Sequence, residues 1–100
     1  MKLRLVEDAH EEVIGTAAYY EAQRPGLGRD FLDEVRRALL AIEEHPERYA
    51  QLETTELPIR RFLLRRFPHY VAYEIVEAEV IVWALAHGSR EPNYWISRRS

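Results

Sequence analysis

Apolar residues recur every three or four positions in the first half of the chain and every two in the second, which divides it into a helical part and a sheet part. Leu3, Leu5 and Val6 read as a short opening strand. A first helix follows to about Gln23: Ala9, Val13, Ala17 and Tyr20 form one stripe, Ile14 and Ala18 widen it, and Asp8 with Glu11 and Glu12 marks its start. Gly15 weakens this helix by about 1 kcal/mol relative to alanine. Pro25 disfavours helix at Arg24, and the glycines of Arg24-Pro25-Gly26-Leu27-Gly28 permit a tight reversal. A second helix runs from about Arg29, with Phe31, Val35, Ala38, Leu39 and Ile42 on its apolar side and Asp33, Glu34, Arg36, Arg37 and Glu43 mostly opposite. It stops near Pro46, and Tyr49 to Leu57 is a polar connection.

Beyond Pro58 the period becomes twofold. Phe62 and Leu64 share one face with Arg60 and Arg66, while Ile59 and Leu63 share the other with Arg61 and Arg65, and the pattern leaves open which face is buried. Phe67-Pro68-His69 marks a turn. Val71, Tyr73 and Ile75 then alternate with Tyr70, Ala72 and Glu74. After a hairpin at Glu77-Ala78-Glu79, the unbroken apolar run Val80 to Leu85 predicts a central strand covered on both faces. The order β-α-α-β-β-β predicts an α+β fold: an antiparallel helix hairpin packed on a small, mainly antiparallel sheet, with the N-terminal strand at an edge.

The chain of 100 residues is expected to form one domain, residues 1–100, with a core just large enough to fold unaided. It has no cysteine, which removes disulfide scaffolds, thiolate metal sites and cysteine nucleophiles. His10, His45, His69 and His87 have no ligand-like spacing, so neither a metal nor a cofactor is expected. No apolar run approaches the ~20 residues of a membrane span, and the N-terminus lacks the apolar core of a signal peptide, so a cytoplasmic protein is expected.

The formal charge of −3 is unevenly spread. Residues 1–56 hold thirteen Asp/Glu against seven Lys/Arg, and residues 57–100 hold four against seven, all seven arginine, giving −6 and +3. An acidic total excludes a surface built to clamp nucleic acid all round, but a local arginine patch suits bidentate recognition of phosphate or carboxylate. Arginine on a half-exposed strand also serves simply to solubilise and protect an edge. Arg90, in a loop between Gly88 and Pro92, is the residue that packing explains least. His87 at the end of the apolar strand fits a satisfied hydrogen-bonding role, and Tyr70, Tyr73 and Trp83 fit core packing. Trp95 and Ile96 are expected to pack on the sheet and leave Arg98 and Arg99 free; alternatively the terminus is a docking tail.

Several motifs in order resemble the RelE/ParE toxin superfamily across nearly the whole chain: Ala17-Ala18-Tyr19-Tyr20-Glu21, the Pro25-Gly26-Leu27-Gly28-x-x-Phe31 link, the Pro46 stop and the arginine strands. The resemblance implies the toxin of a type II toxin–antitoxin pair, in a hetero-oligomer with a cognate antitoxin. The ParE branch is the closer match, through Phe67-Pro68-His69-Tyr70-Val71-Ala72-Tyr73 and His87-Gly88-Ser89-Arg90-Glu91-Pro92-x-x-Trp95. It implies inhibition of DNA gyrase by binding, with no catalytic residue and with Arg65, Arg90, Trp95, Arg98 and Arg99 as candidate contacts to target or antitoxin. The RelE branch implies instead a ribosome-dependent endoribonuclease acting on mRNA, with Arg60, Arg61, Arg66, His87, Arg90 and Tyr94 as candidates. A third reading is a non-toxic member that only binds antitoxin.

Overall fold

A computed structural model describes residues 1–99. Strand β1 (Lys2–Leu5) leads into helices α1 (Glu7–Gln23) and α2 (Leu27–Glu44), followed by strands β2 (Ile59–Leu63), β3 (His69–Val76) and β4 (Glu79–His87) and a terminal 3₁₀ turn, Ile96–Arg99. The sheet order is β1-β4-β3-β2; β1 runs parallel to β4, and the other neighbours are antiparallel. The expected two-layer α+β arrangement is thus present, with β1 at one edge and β4 inside the sheet.

Helix α1 does not begin at an Asp8 cap. The Val6 N–H bonds to the Val82 carbonyl, so the chain passes from sheet edge into helix at Glu7 without a capping side chain. Glu7 and Asp8 still sit in the first turn, where their charge favours the helix dipole. The buried stripe of α1 is narrower than its sequence suggests: Ala9, Val13 and Ala17 are buried, whereas Ile14 and Ala18 are exposed.

Between the helices, the Glu21 carboxylate accepts the N–H groups of Gly26 and Gly28, so the last turn of α1 caps the first turn of α2. Gly26 adopts φ 91°, a left-handed conformation that glycine tolerates. Gly28 is required by contact, since a Cβ there would lie 2.6 Å from the Ala17 carbonyl oxygen. Helix α2 ends before Pro46, whose carbonyl accepts the Tyr73 hydroxyl at 2.7 Å.

Strand β4 is buried almost end to end, and a bulge makes this possible. Ala72 pairs with Ala84 and Tyr73 with Val82, leaving Trp83 as the extra residue. The alternation changes phase there: Val80, Val82 and Leu85 pack with the helices, while Ile81, Trp83, Ala84 and Ala86 pack in a second cluster. That second face is covered by the C-terminal segment, in which Trp95 is fully buried. Phe62 and Leu64 turn to the helix side and Ile59 to the second cluster, so both faces of β2 carry apolar packing, while Leu63 is exposed.

Candidate functional site

The C-terminal half presents its arginines in four settings. Arg60 braces the connection before β2: its guanidinium donates to the carbonyls of Glu47 (3.1 Å) and Tyr49 (2.6 Å). The same connection pairs with β2 through Leu52 N–H to Ile59 O and Arg61 N–H to Ala50 O, so the first half of that strand is not a bare edge. Arg61 is exposed on the opposite face, with its guanidinium 6.0 Å from the Tyr70 ring.

Arg65 and Arg66 belong to the turn after β2. Their backbone N–H groups both donate to the carboxylate of Glu34, which is buried on α2. This corrects the expected placement of Glu34 opposite the apolar side of α2. Glu34 occupies the buried stripe itself, between Phe31 and Ala38, and its carboxylate holds the turn in place. Arg66 pairs loosely with Asp30 at 3.7 Å, and among the described residues the Arg65 and Arg37 guanidinia have no carboxylate partner. Together Glu34, Arg37, Arg65, Arg66, Phe62 and the alanines 38 and 41 line a groove of about 540 Å³ between α2 and the sheet. Its floor is apolar and its rim cationic.

Arg98 and Arg99 are not free. Arg98 forms a two-pronged bond to Glu12 of α1 (2.9 and 3.0 Å), approaches Asp8 at 3.5 Å and donates to the Trp83 carbonyl. The same Glu12 accepts the Tyr94 hydroxyl and the Leu85 N–H. Arg99 clasps buried Glu74 (2.7 and 2.8 Å), which also accepts the Trp83 indole N–H. The Arg99 bonds, with that of Trp83, hold the Glu74 carboxyl below the usual carboxylate range against the opposing effect of burial. The terminus is therefore a latch across the second face of the sheet, tied to α1 and β3 by ion pairs.

The fourth setting is a cleft between α1 and the end of β4. Gly15, Thr16, Tyr19 and Tyr20 form its helical wall, and His69 and His87 its strand wall. An adjoining recess, sharing Gly15, Thr16 and both histidines, adds Glu12, Leu85, Arg90 and Tyr94. The rings of His69 and His87 are 5.0 Å apart between centroids. His87 Nδ1 accepts the Ser89 N–H at 3.0 Å and contacts its hydroxyl at 2.7 Å, so that nitrogen has the hydrogen bonds expected of a strand-end histidine. Burial, with His87 adding to it, pushes His69 down to about 4, and the ring is neutral at physiological pH. Arg90 lies over the Tyr94 ring, its Cζ 3.7 Å from the centroid. Burial and then the bond to Glu12 push the Tyr94 hydroxyl far above its ordinary range.

Of the residues singled out from the sequence, His87, Arg90 and Tyr94 thus come together, whereas Arg65 and Arg66 line the separate α2 groove, Arg60 is a backbone brace and Trp95 is core. Tyr73 and Trp83 are buried as expected, and Tyr70 packs against the second cluster. Sequence reasoning missed Glu12, Glu34 and His69. The first two were findable by position, since each adjoins or lies within the helical apolar stripe. His69 had no such signal, because a proline turn precedes it and its burial depends on α1. Among the described residues no group of three or more His, Asp or Glu is placed to hold a metal ion.

A helix hairpin laid on a sheet in which the first strand runs parallel to the last is the architecture of RelE/ParE-type toxins. The sequence narrows this: residues 3–92 match the family described as the ParE toxin of the type II toxin-antitoxin system, parDE, and the chain belongs to that family. None of the curated proteins is recognisably similar in sequence. Among solved structures the fold is shared with a chain titled "Chromosomal ParDE TA system from P. aeruginosa", 13% identical, with a TM-score of 0.75 over 87% of this chain and 95% of that one. Membership makes this a toxin-family protein with an antitoxin as its partner.

Proposed function

We propose that the protein acts by binding, as an inhibitor of DNA gyrase in the cytoplasm, and is neutralised when its antitoxin fills the α2 groove. The carrying observation is the separation of the two cationic sets. Metal-free cleavage of RNA needs a phosphate-stabilising cation and a proton-transfer group around one phosphorus. Here Arg65 and Arg66 line the α2 groove and Arg60 is spent on backbone carbonyls, so of these candidate cations Arg90 alone stands beside His87 and Tyr94, and it is stacked on the Tyr94 ring. Tyr94 is further disarmed as an acid or base by its bond to Glu12. Each set suits contact with a partner better than joint catalysis.

For the antitoxin, the groove asks for an apolar ridge flanked by acids: Phe62, Ala38 and Ala41 meet the ridge, and Arg37, Arg65 and Arg66 meet the acids. The test is a supercoiling assay with purified gyrase and purified toxin. Inhibition that disappears on adding equimolar antitoxin is expected. Undiminished supercoiling at saturating toxin, together with cleavage of ribosome-bound mRNA, would replace this reading with the nuclease.

A further inference from the structure

The side of α2 turned away from the sheet carries a pattern that its own chain does not use. Arg29, Asp33, Arg36, Leu40 and Glu43 follow one another at steps of four, three, four and three, the spacing of a coiled-coil seam. The buried stripe, Phe31, Val35, Ala38 and Ile42, lies on the opposite side of the same helix. Arg29, Asp33, Arg36 and Leu40 are exposed, Leu40 by 53%, and Leu32 beside them by 39%. A lone exposed leucine is ordinary on a protein surface. Here the two leucines share the helix surface with four charges, two of each sign, and among the described residues none of the four enters an ion pair.

The pattern is symmetric about Arg36. Leu32 and Leu40 lie four residues to either side of it, and Arg29 and Glu43 lie seven to either side. Laid antiparallel on a second copy of itself, about a two-fold axis at Arg36, α2 sets Leu32 against Leu40 of the second copy and Arg29 against Glu43 of the second copy. Two-fold symmetry makes each of these contacts twice. The two Arg36 side chains meet at the axis, and Asp33 of the opposite copy lies about 4.5 Å further along, at 1.5 Å of rise per residue, so two acids bridge the like charges. Helix α1 widens the face. Gly28 packs on Ala17 and bonds to Glu21, so positions 14, 17 and 21 mark the α2 side of α1, where Ile14 is 52% exposed.

We propose that the outer face of the helix hairpin is a self-association surface, on which a second copy of this chain packs its α2 antiparallel to the first. Charge complementarity selects this occupant, because one sequence supplies both halves of every pair. Charged residues at seam positions fix register at a cost in strength, so the dimer is reversible and weakens as salt is raised. Helix α2, 18 residues and about 27 Å long, makes a small contact by itself, and Ile14 of each copy adds apolar area at its flank. The surface lies on a different side of α2 from Ala38 and Ala41 of the groove, and the inference does not rest on the gyrase reading.

The experiment is sedimentation equilibrium of the full chain without antitoxin, over a wide range of concentrations. A reversible monomer–dimer equilibrium is expected, weakened about tenfold or more by Leu40→Asp and unchanged by Leu63→Asp, which alters a comparably exposed leucine on β2. A charge swap separates the contact from any effect on folding. Arg29→Glu should weaken the dimer about tenfold, and Arg29→Glu combined with Glu43→Arg should restore it. A monomer at all concentrations up to about 1 mM overturns the proposal. So does a double variant that stays as weak as Arg29→Glu, or a dimer lost in Leu63→Asp and kept in Leu40→Asp, which would place the contact at the β2 edge. If the free chain is a monomer and Leu40→Asp weakens antitoxin binding, the face belongs to the antitoxin and the proposal fails.

Discussion

Glu12 and Arg98, 86 residues apart in the chain, meet in a two-pronged ion pair with both side chains largely removed from solvent. Sheltering matters to its worth. An exposed pair contributes little, but breaking a sheltered one strands a charge among groups that cannot solvate it. Glu12 also holds an N–H of β4 that β1 is too short to reach, since β1 pairs only with Glu79 to Val82. Glu12→Ala is expected to lower stability by about 2–4 kcal/mol, and Arg98→Ala by somewhat less because Asp8 and Trp83 lose weaker contacts. In urea titrations of the two single variants and the double variant, the losses should be clearly non-additive. Additive losses would mean that the pair is a surface contact only.

Fold class, element order and the central position of β4 were legible because periodicity reports burial directly, and here the apolar runs of Val71 to Tyr73 and Val80 to Leu85 belong to strands covered on both faces. What was not legible came from residues whose partner lies far along the chain. Arg98 and Arg99 look like a loose basic tail until the fold brings Glu12 and Glu74 beside them. Glu34 looks like one more surface acid, although its place between Phe31 and Ala38 marks it as buried. The cleft is of the same kind: His87 and Arg90 were visible as a strand-end histidine and a loop arginine, while His69 and the wall of α1 depend on how the hairpin lies on the sheet.

His69 makes stability depend on pH. Its folded pKa is about 4, against 6.5 for a free imidazole, so the unfolded chain binds the proton more readily. The groups around it are His87, Tyr20 and Phe31, none of which stabilises a charged ring at neutral pH. Stability from this residue is therefore complete above pH ~6.5 and is lost as pH falls towards 4, by about 3 kcal/mol over the window. Thermal melts at pH 7.5 and pH 5 should show a drop that His69→Phe largely removes. An equal drop in that variant would assign the pH dependence to the carboxylates.

Two glycine-to-alanine substitutions should act in opposite directions. At Gly15 the added methyl meets nothing, and α1 gains helix propensity, so stability should rise by up to about 1 kcal/mol. At Gly28 it would press on the Ala17 carbonyl oxygen from 2.6 Å, and its other near neighbour is the Glu21 side chain that caps α2. The helices must part to admit it, at a cost of about 1–3 kcal/mol. Denaturation midpoints of both variants decide this. A neutral Gly28→Ala would show that the hairpin adjusts more easily than its contact distance implies.

The α2 groove yields a prediction in which charge and shape separate. Arg37 and Arg65 lack carboxylate partners among the described residues, so reversing either should leave the fold intact while repelling an acidic antitoxin. Glu34 is different, because it holds the turn that carries Arg65 and Arg66. Arg65→Glu is therefore expected to weaken antitoxin binding by about tenfold or more with the melting temperature unchanged, and the loss should shrink as salt is raised. Glu34→Ala is expected to lower the melting temperature as well, because two turn N–H groups lose their acceptor. Calorimetric titration of both variants with antitoxin, beside their thermal melts, tells a contact residue from a structural one. If Arg65→Glu binds as the parent does at low salt, the antitoxin docks elsewhere on the toxin.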